Sequence, residues 1–365
     1  MDPAIRALFA PQPGLTYLDS ATYGLPPEPT LRVMREALEG WQAGTAYWVD
    51  DWDRHGERAR VAFARLLGTE ARRVALLPAV SVGTGTIAAD LRPGDRVVVP
   101  AAEFTSVLFP LLVARQRGVD VVEVEDDDGL IEAISPGTRL VALTLVQMQT
   151  GLVAPIRDVL AAAEAVGAEV LLDATHGTPF VRYDDVLDRL DYVLVSGYKH
   201  VLCPRGVAFM VVGDDHIDRL PPILANWRAA DEPYARFFGG PLTLAEGAAQ
   251  YDVSLAWFDW LGAATSLELL VEWQATGALA EPLALARDLA ARLEVPWGGS
   301  TVVCPPIDDP ARVRAVLAEH RIKASFRGTG VRLSTHVYND TADIERAASA
   351  LAPVVARPKV STAAS

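Results

Sequence analysis

Apolar positions along the chain follow two rhythms. From about Glu28 to Leu67 they recur at the three- and four-residue spacing of a helix, with Gly44 as a break. Seven short β-branched runs then follow: Val74 to Leu77, Arg96 to Pro100, Asp120 to Val124, Arg139 to Val146, Glu169 to Leu172, Tyr192 to Val195 and Val207 to Val212. Their length and the turn residues around them predict buried strands. Helical spacing separates most of them, as in Ser81 to Leu91, Ser106 to Gln116 and Ile156 to Val166. Strand alternating with helix predicts an α/β fold with a mostly parallel seven-stranded sheet and right-handed crossovers. The last two runs are joined by a loop too short for a crossover helix, so the seventh strand should run antiparallel to its neighbour. A tryptophan- and alanine-rich helical stretch follows from about Ser254 to Leu279, and Leu283 to Leu351 reads as a small α+β unit. We expect a large domain over residues 15–260, a small one from 1–14 and 261–352, and a disordered tail at 353–365.

Composition narrows the function. The chain has 365 residues and a formal charge of −14, which disfavours nucleic acid and anionic membranes as partners. No apolar run is long enough to span a bilayer, and the N-terminus lacks a signal-peptide pattern. Two cysteines, Cys203 and Cys304, give neither a disulfide framework nor metal spacing, so a reducing cytoplasm and no metal are expected. Of 33 basic residues only Lys199, Lys323 and Lys359 are lysines. A lysine kept just beyond a buried strand, in a chain that otherwise uses arginine, points to a need for an amine. A desolvated amine can lose its proton and form a Schiff base, which guanidinium cannot. A lysine snorkelling from the core edge is the competing structural reading.

Ligands of open parallel sheets lie beyond the carboxyl ends of the strands. There the sequence offers a small-residue helix start at Val80 and Ser81, an aromatic ring at Phe104, and Gln147. It also offers Asp173 with His176 three residues on, and Ser196 before Lys199. Taken singly, Asp173 also suits a helix cap and His176 a structural histidine. Together they match what pyridoxal 5'-phosphate (PLP) requires: an amine for attachment, a carboxylate at the pyridine nitrogen, a phosphate cradle and a stacking ring.

Asp173-x-x-His176, Ser196-x-x-Lys199 and Val331-Arg-Leu-Ser-x-x-x-Tyr338-Asn339 resemble the class V aminotransferase superfamily of fold-type I PLP enzymes. That superfamily includes cysteine desulfurases, isopenicillin-N-epimerase-like proteins, kynureninase and hercynylcysteine sulfoxide lyase. The resemblance covers about Tyr17 to Leu351 and implies Lys199 as the Schiff-base lysine and Asp173 as the pyridinium partner. It further implies His176 at the phenolic oxygen, Phe104 over the ring, and Val80, Ser81 and Ser196 at the phosphate. Ser254 would reach the phosphate of a partner subunit in a homodimer. Arg332 would clamp the carboxylate of an amino-acid substrate, with Thr22 and Tyr23 lining the same end.

The chain also departs from that pattern. Tyr198 replaces the histidine common before the lysine, and Met148 replaces an asparagine, for which Gln147 or Gln149 would compensate. The loop Ile322 to Gly330 has no cysteine, whereas a desulfurase needs a mobile thiolate there. The runs Ser81-Val-x-x-Gly, Glu103-Phe-x-Ser-x-x-Phe-Pro110 and Tyr251-Asp-x-Ser-x-x-Trp257 are most similar to sulfoxide lyases and to relatives acting on S-conjugated cysteines, lincosamide-pathway enzymes among them. The expected reaction is therefore C–S β-elimination from a cysteine S-conjugate in specialised metabolism. Transamination, epimerisation and decarboxylating oxidative deamination stand as alternatives, and a non-catalytic scaffold as a further one.

Overall fold

The computed structural model describes residues 2–235 and 237–356. After a short helix, Pro3–Arg6, and strand β1 (Thr16–Tyr17) come two helices, Glu28–Ala43 and His55–Leu67. Gly44 ends the first of these in the left-handed conformation (φ 68°), as its position in the pattern predicts. The large sheet is built from β2 (Val74–Leu77), β3 (Arg96–Pro100), β4 (Asp120–Val124), β5 (Thr138–Thr144), β6 (Glu169–Asp173), β7 (Tyr192–Ser196) and β8 (Ala208–Val212). Its spatial order is β2-β8-β7-β6-β5-β3-β4. β8 runs antiparallel to both β7 and β2, and the other pairs are parallel.

Alternate side chains of the central strands enter different cores, which is why those runs are mostly apolar, whereas edge strand β4 carries Asp120 and Glu123. Val74, Leu76, Val98, Val141, Val193 and Val195 join one core with Phe63, Val159 and Trp260. Ala75, Leu77, Val97, Val99, Ala142 and Leu194 join the opposite one with Ile87 and Leu111. The carboxyl ends of the parallel strands therefore open together at one edge of two filled layers. Register puts Thr144 beside Asp173 and Asp173 beside Leu194, two residues short of Ser196.

A third core holds the C-terminal unit, with Leu289, Val313, Leu317, Leu333, Ile344 and Leu351 around β9 (Val302–Val303), β10 (Ile322–Lys323), β11 (Ser325–Arg327) and β12 (Gly330–Ser334). β1 pairs in parallel with β10, and Leu18 is buried in this third core. The boundary expected after residue 260 falls inside the helix Trp257–Ala275. The buried face of that helix, with Ala263, Ala264, Leu267 and Leu270, packs in the large-sheet core, and Ile5 and Phe9 from the N-terminal segment do the same. Of the tail expected at 353–365, Val355 is buried in the third core, and residues 357–365 lie outside those described. Among the described residues no helix is long and apolar enough to cross a membrane.

Candidate active site

Lys199 follows β7 by three residues, and its side chain is buried. Its Nζ lies 3.0 Å from His176 Nε2 and 5.2 Å from the centre of the Phe104 ring. Burial lowers its pKa to about 8; Asp173 opposes that change, while Arg332, Arg327 and Arg205 add to it. His176 is held well below its ordinary pKa, first by burial and then by Lys199, so it is a neutral imidazole. Its Nδ1 is buried with no partner among the described residues.

Asp173 closes β6, and burial raises its pKa. Against burial, the Thr175 N–H donates to its Oδ1 at 2.9 Å, and the Thr175 hydroxyl and Lys199 also favour the ionised form. The same hydroxyl accepts a hydrogen bond from Ser196 N at 2.9 Å and so ties the ends of β6 and β7 together. Glu103 lies close by, its pKa pushed up to about 8 by burial and by Asp173. One of its oxygens accepts from Phe104 N at 2.6 Å, and the other is buried with no close partner among the described residues.

A cavity of about 340 Å³ opens beside Lys199, lined by Val80, Phe104, Ser106, Asp173, Thr175, Ser196, Tyr198, Lys199 and Arg205. Val80 opens the helix Val80–Asp90, whose first N–H groups have no partner within the helix. Ser81 sits in that first turn without lining the cavity wall. Gln147 and Met148 line an adjoining recess with Glu103, Asp173 and His176. The Gln147 side-chain oxygen is turned back into its own loop, accepting from Gln149 N and from Thr150 N at 2.9 Å. Only its amide NH2 remains for a ligand. Tyr198 carries Arg205 over its ring at 4.9 Å.

Arg332, buried on β12, is near enough for its charge to act on Lys199 and His176. Its Nη2 donates to Thr22 Oγ1 at 2.7 Å and its Nε to Ser325 Oγ at 3.2 Å, with Asp19 Oδ1 at 4.0 Å. Burial and then Arg327 lower its pKa to about 10. The segment bearing Thr22 is clamped onto the lysine loop: Gly24 N donates to Tyr198 O at 3.0 Å, and Gly24 packs directly on the Lys199 carbonyl. Tyr23 is 45% exposed, and its carbonyl accepts the Tyr17 hydroxyl at 2.7 Å. Ser254 is exposed on the loop before the tryptophan-rich helix and does not line the Lys199 cavity of its own chain.

Sequence reasoning passed over Glu103, Thr175, Ser325 and Arg327. Glu103 has one signal, a carboxylate three residues beyond an apolar strand, weaker than that of Asp173, which closes its strand.

The residues fit PLP. A poised amine, a hydrogen-bonded carboxylate and open helix N–H groups line one recess of suitable size, and a neutral histidine with a free ring nitrogen lines the recess adjoining it. Comparison with known proteins agrees. The family model for aminotransferase class-V matches residues 16–305. A probable cysteine desulfurase of Methanothermobacter thermautotrophicus is 30% identical over 57% of this chain, although the match spans only 55% of that protein. Isopenicillin N epimerase of Streptomyces clavuligerus is 27% identical over 80% of this chain and 83% of its own length. In fold, a cystine C–S lyase solved with its product cysteine persulfide superposes with a TM-score of 0.82 at 19% identity, covering 93% of this chain and 98% of the other. The chain belongs to the aminotransferase class-V family and is a PLP-dependent enzyme.

Proposed function

We propose that this enzyme cleaves the C–S bond of a cysteine S-conjugate by β-elimination, with Lys199 as the attachment point of the cofactor and the base at Cα. When bound, PLP withdraws electrons from the substrate's Cα and makes its proton acidic. The chain's own residues supply the rest. Asp173 would pair with the ring nitrogen, Phe104 would cover one ring face, and neutral His176 would donate to the phenolic oxygen. The first turn at Val80 and Ser81, with Ser196, would receive the phosphate. Arg332 would hold the substrate carboxylate as a charge-assisted pair, with Thr22 and Ser325 fixing the guanidinium plane. An amine with a pKa of about 8 is basic enough to take the Cα proton and acidic enough to be unprotonated in part at neutral pH.

The observation that carries elimination over sulfur transfer is the absence of a usable thiol. The β11–β12 hairpin beside Arg332 has no cysteine. Burial pushes the Cys203 thiol up, and that of Cys304 to about 12, so neither supplies the thiolate that sulfur transfer needs. Similarity to isopenicillin N epimerase along most of the chain supports a role in specialised metabolism, and two unpaired cysteines support a cytoplasmic setting.

A homodimer is part of the proposal. Trp41, Tyr47 and Phe238 are 61%, 62% and 96% exposed, which is costly for large aromatic rings unless they are covered. Exposed Ser254 would then face the partner's phosphate. Incubation of the holoenzyme with an S-alkylcysteine tests the reaction. Pyruvate and thiol in equal amounts are expected. Accumulation of pyridoxamine phosphate with a keto acid, or oxygen uptake with carbon dioxide release, would contradict it.

A further inference from the structure

The hairpin that carries Arg332 carries a second arginine toward the same site. In β11 alternate residues share a face, so Ser325 and Arg327 project to one side and Phe326 to the other. Ser325 is directly opposite Arg332 in the antiparallel pair, and side chains of an opposed pair share a face. Ser325, Arg327 and Arg332 are therefore neighbours on one surface. Contacts fix this orientation from both sides. Arg332 bonds Ser325 on the inner face, and Arg314 sits 4.0 Å over the Phe326 ring on the outer face.

The two arginines are satisfied very differently. Arg332 is held by Thr22, Ser325 and Asp19. Half-buried Arg327 donates only to the carbonyl of its neighbour Phe326, at 2.7 Å, and pairs with no carboxylate among the described residues. A chain of net charge −14 has acids to spare, yet none is set against this guanidinium. The nearest acid on this face, Asp19, stands 4.0 Å from Arg332.

We propose that the site selects amino acids whose side chain ends in a second anionic group, and that Arg327 binds that group while Arg332 binds the α-carboxylate. Arg327 and Arg332 occupy diagonal positions of the hairpin, whose side-chain roots lie ~7 Å apart in an antiparallel pair. That spacing suits an anion several atoms beyond Cβ rather than the two oxygens of one carboxylate. The charge of Arg327 is felt at Lys199 and His176 as well as at Arg332, which puts it on the reactive side of the hairpin. For the cysteine conjugates proposed above, the inference specifies an acidic S-substituent. It rests on that reading only for the identity of the head group.

The test uses the holoenzyme and two isosteric probes, S-(2-carboxyethyl)-L-cysteine and S-(2-carbamoylethyl)-L-cysteine, with binding followed by spectral titration so that cleavage is not required. The acid should bind about tenfold more tightly than the amide, as expected of one charge-assisted hydrogen bond. In Arg327→Gln that ratio should collapse toward one, and in Arg327→Lys it should be partly retained. Arg332→Gln should weaken both probes alike and leave the ratio intact. Equal binding of acid and amide by the wild-type enzyme, or an equal loss for both in Arg327→Gln with the cofactor band unchanged, overturns the inference. If the acid is preferred but no thiol is released from it, the elimination reading fails while this one stands. If thiol is released from both probes without preference, the reverse holds.

Discussion

At the scale of single residues, the site works by withholding water from groups that prefer to be charged. Lys199 is the clearest case. Burial outweighs the nearby Asp173 carboxylate and brings the amine to about 8. A neutral amine is needed for covalent capture of PLP, so the capture rate of cofactor-free enzyme should rise with pH to about 8 and level off above it. A rate that still climbs through pH 9 and beyond would show an ordinary, solvated lysine. Glu103 gives a second pH-dependent signature. Its folded-state pKa of about 8 lies above the usual carboxylate value, so between about 4.5 and 8 the folded state holds a proton that the unfolded chain releases. Stability must fall as pH rises through that window. In Glu103→Gln that loss should be absent. The cofactor-free variant should match wild type near pH 5 and exceed it near pH 9 by on the order of a few kcal/mol, read as a widening gap in Tm. Lys199, Asp173 and His176 were legible in the sequence because each closes or follows an apolar run. Thr175 and Arg327 were not legible, because a lone polar residue has no local pattern to mark what it faces.

At the scale of elements, the strands of the large sheet were legible because both faces of the sheet are covered and the middle of most strands is apolar. The antiparallel β8 followed from loop length alone. The short pieces were not: β1 and β9 have two residues each, too few for any periodicity, and their pairing is set by the third core around Leu18 and Leu333. Yet β1 leads directly into the segment that decides the geometry of the site, since Gly24 rests on the Lys199 carbonyl while Thr22 steers Arg332. A side chain at Gly24 would collide with that carbonyl and with Leu202, and backbone cannot yield as a flexible side chain can. Gly24→Ala should therefore destabilise the protein by about 1–3 kcal/mol and raise KM for the amino acid more than it lowers kcat. A variant with wild-type Tm and KM would mean that this packing does not position Thr22.

At the scale of the molecule, one chain brings together Lys199, Asp173, His176 and Arg332, while Ser254 and several large aromatic rings face outward. Light scattering should give about twice the 39.2 kDa chain mass. A monomer retaining full cofactor affinity would remove any role for Ser254 across an interface. The claim on which all else depends is covalent attachment of the cofactor at Lys199, and borohydride reduction of the PLP-loaded protein followed by peptide mass mapping tests it most directly. With only three lysines in the sequence the outcome is unambiguous. The added phosphopyridoxyl mass should fall on the peptide containing Lys199 and vanish in Lys199→Ala; its appearance on Lys323 or Lys359, or on no peptide at all, would contradict the account.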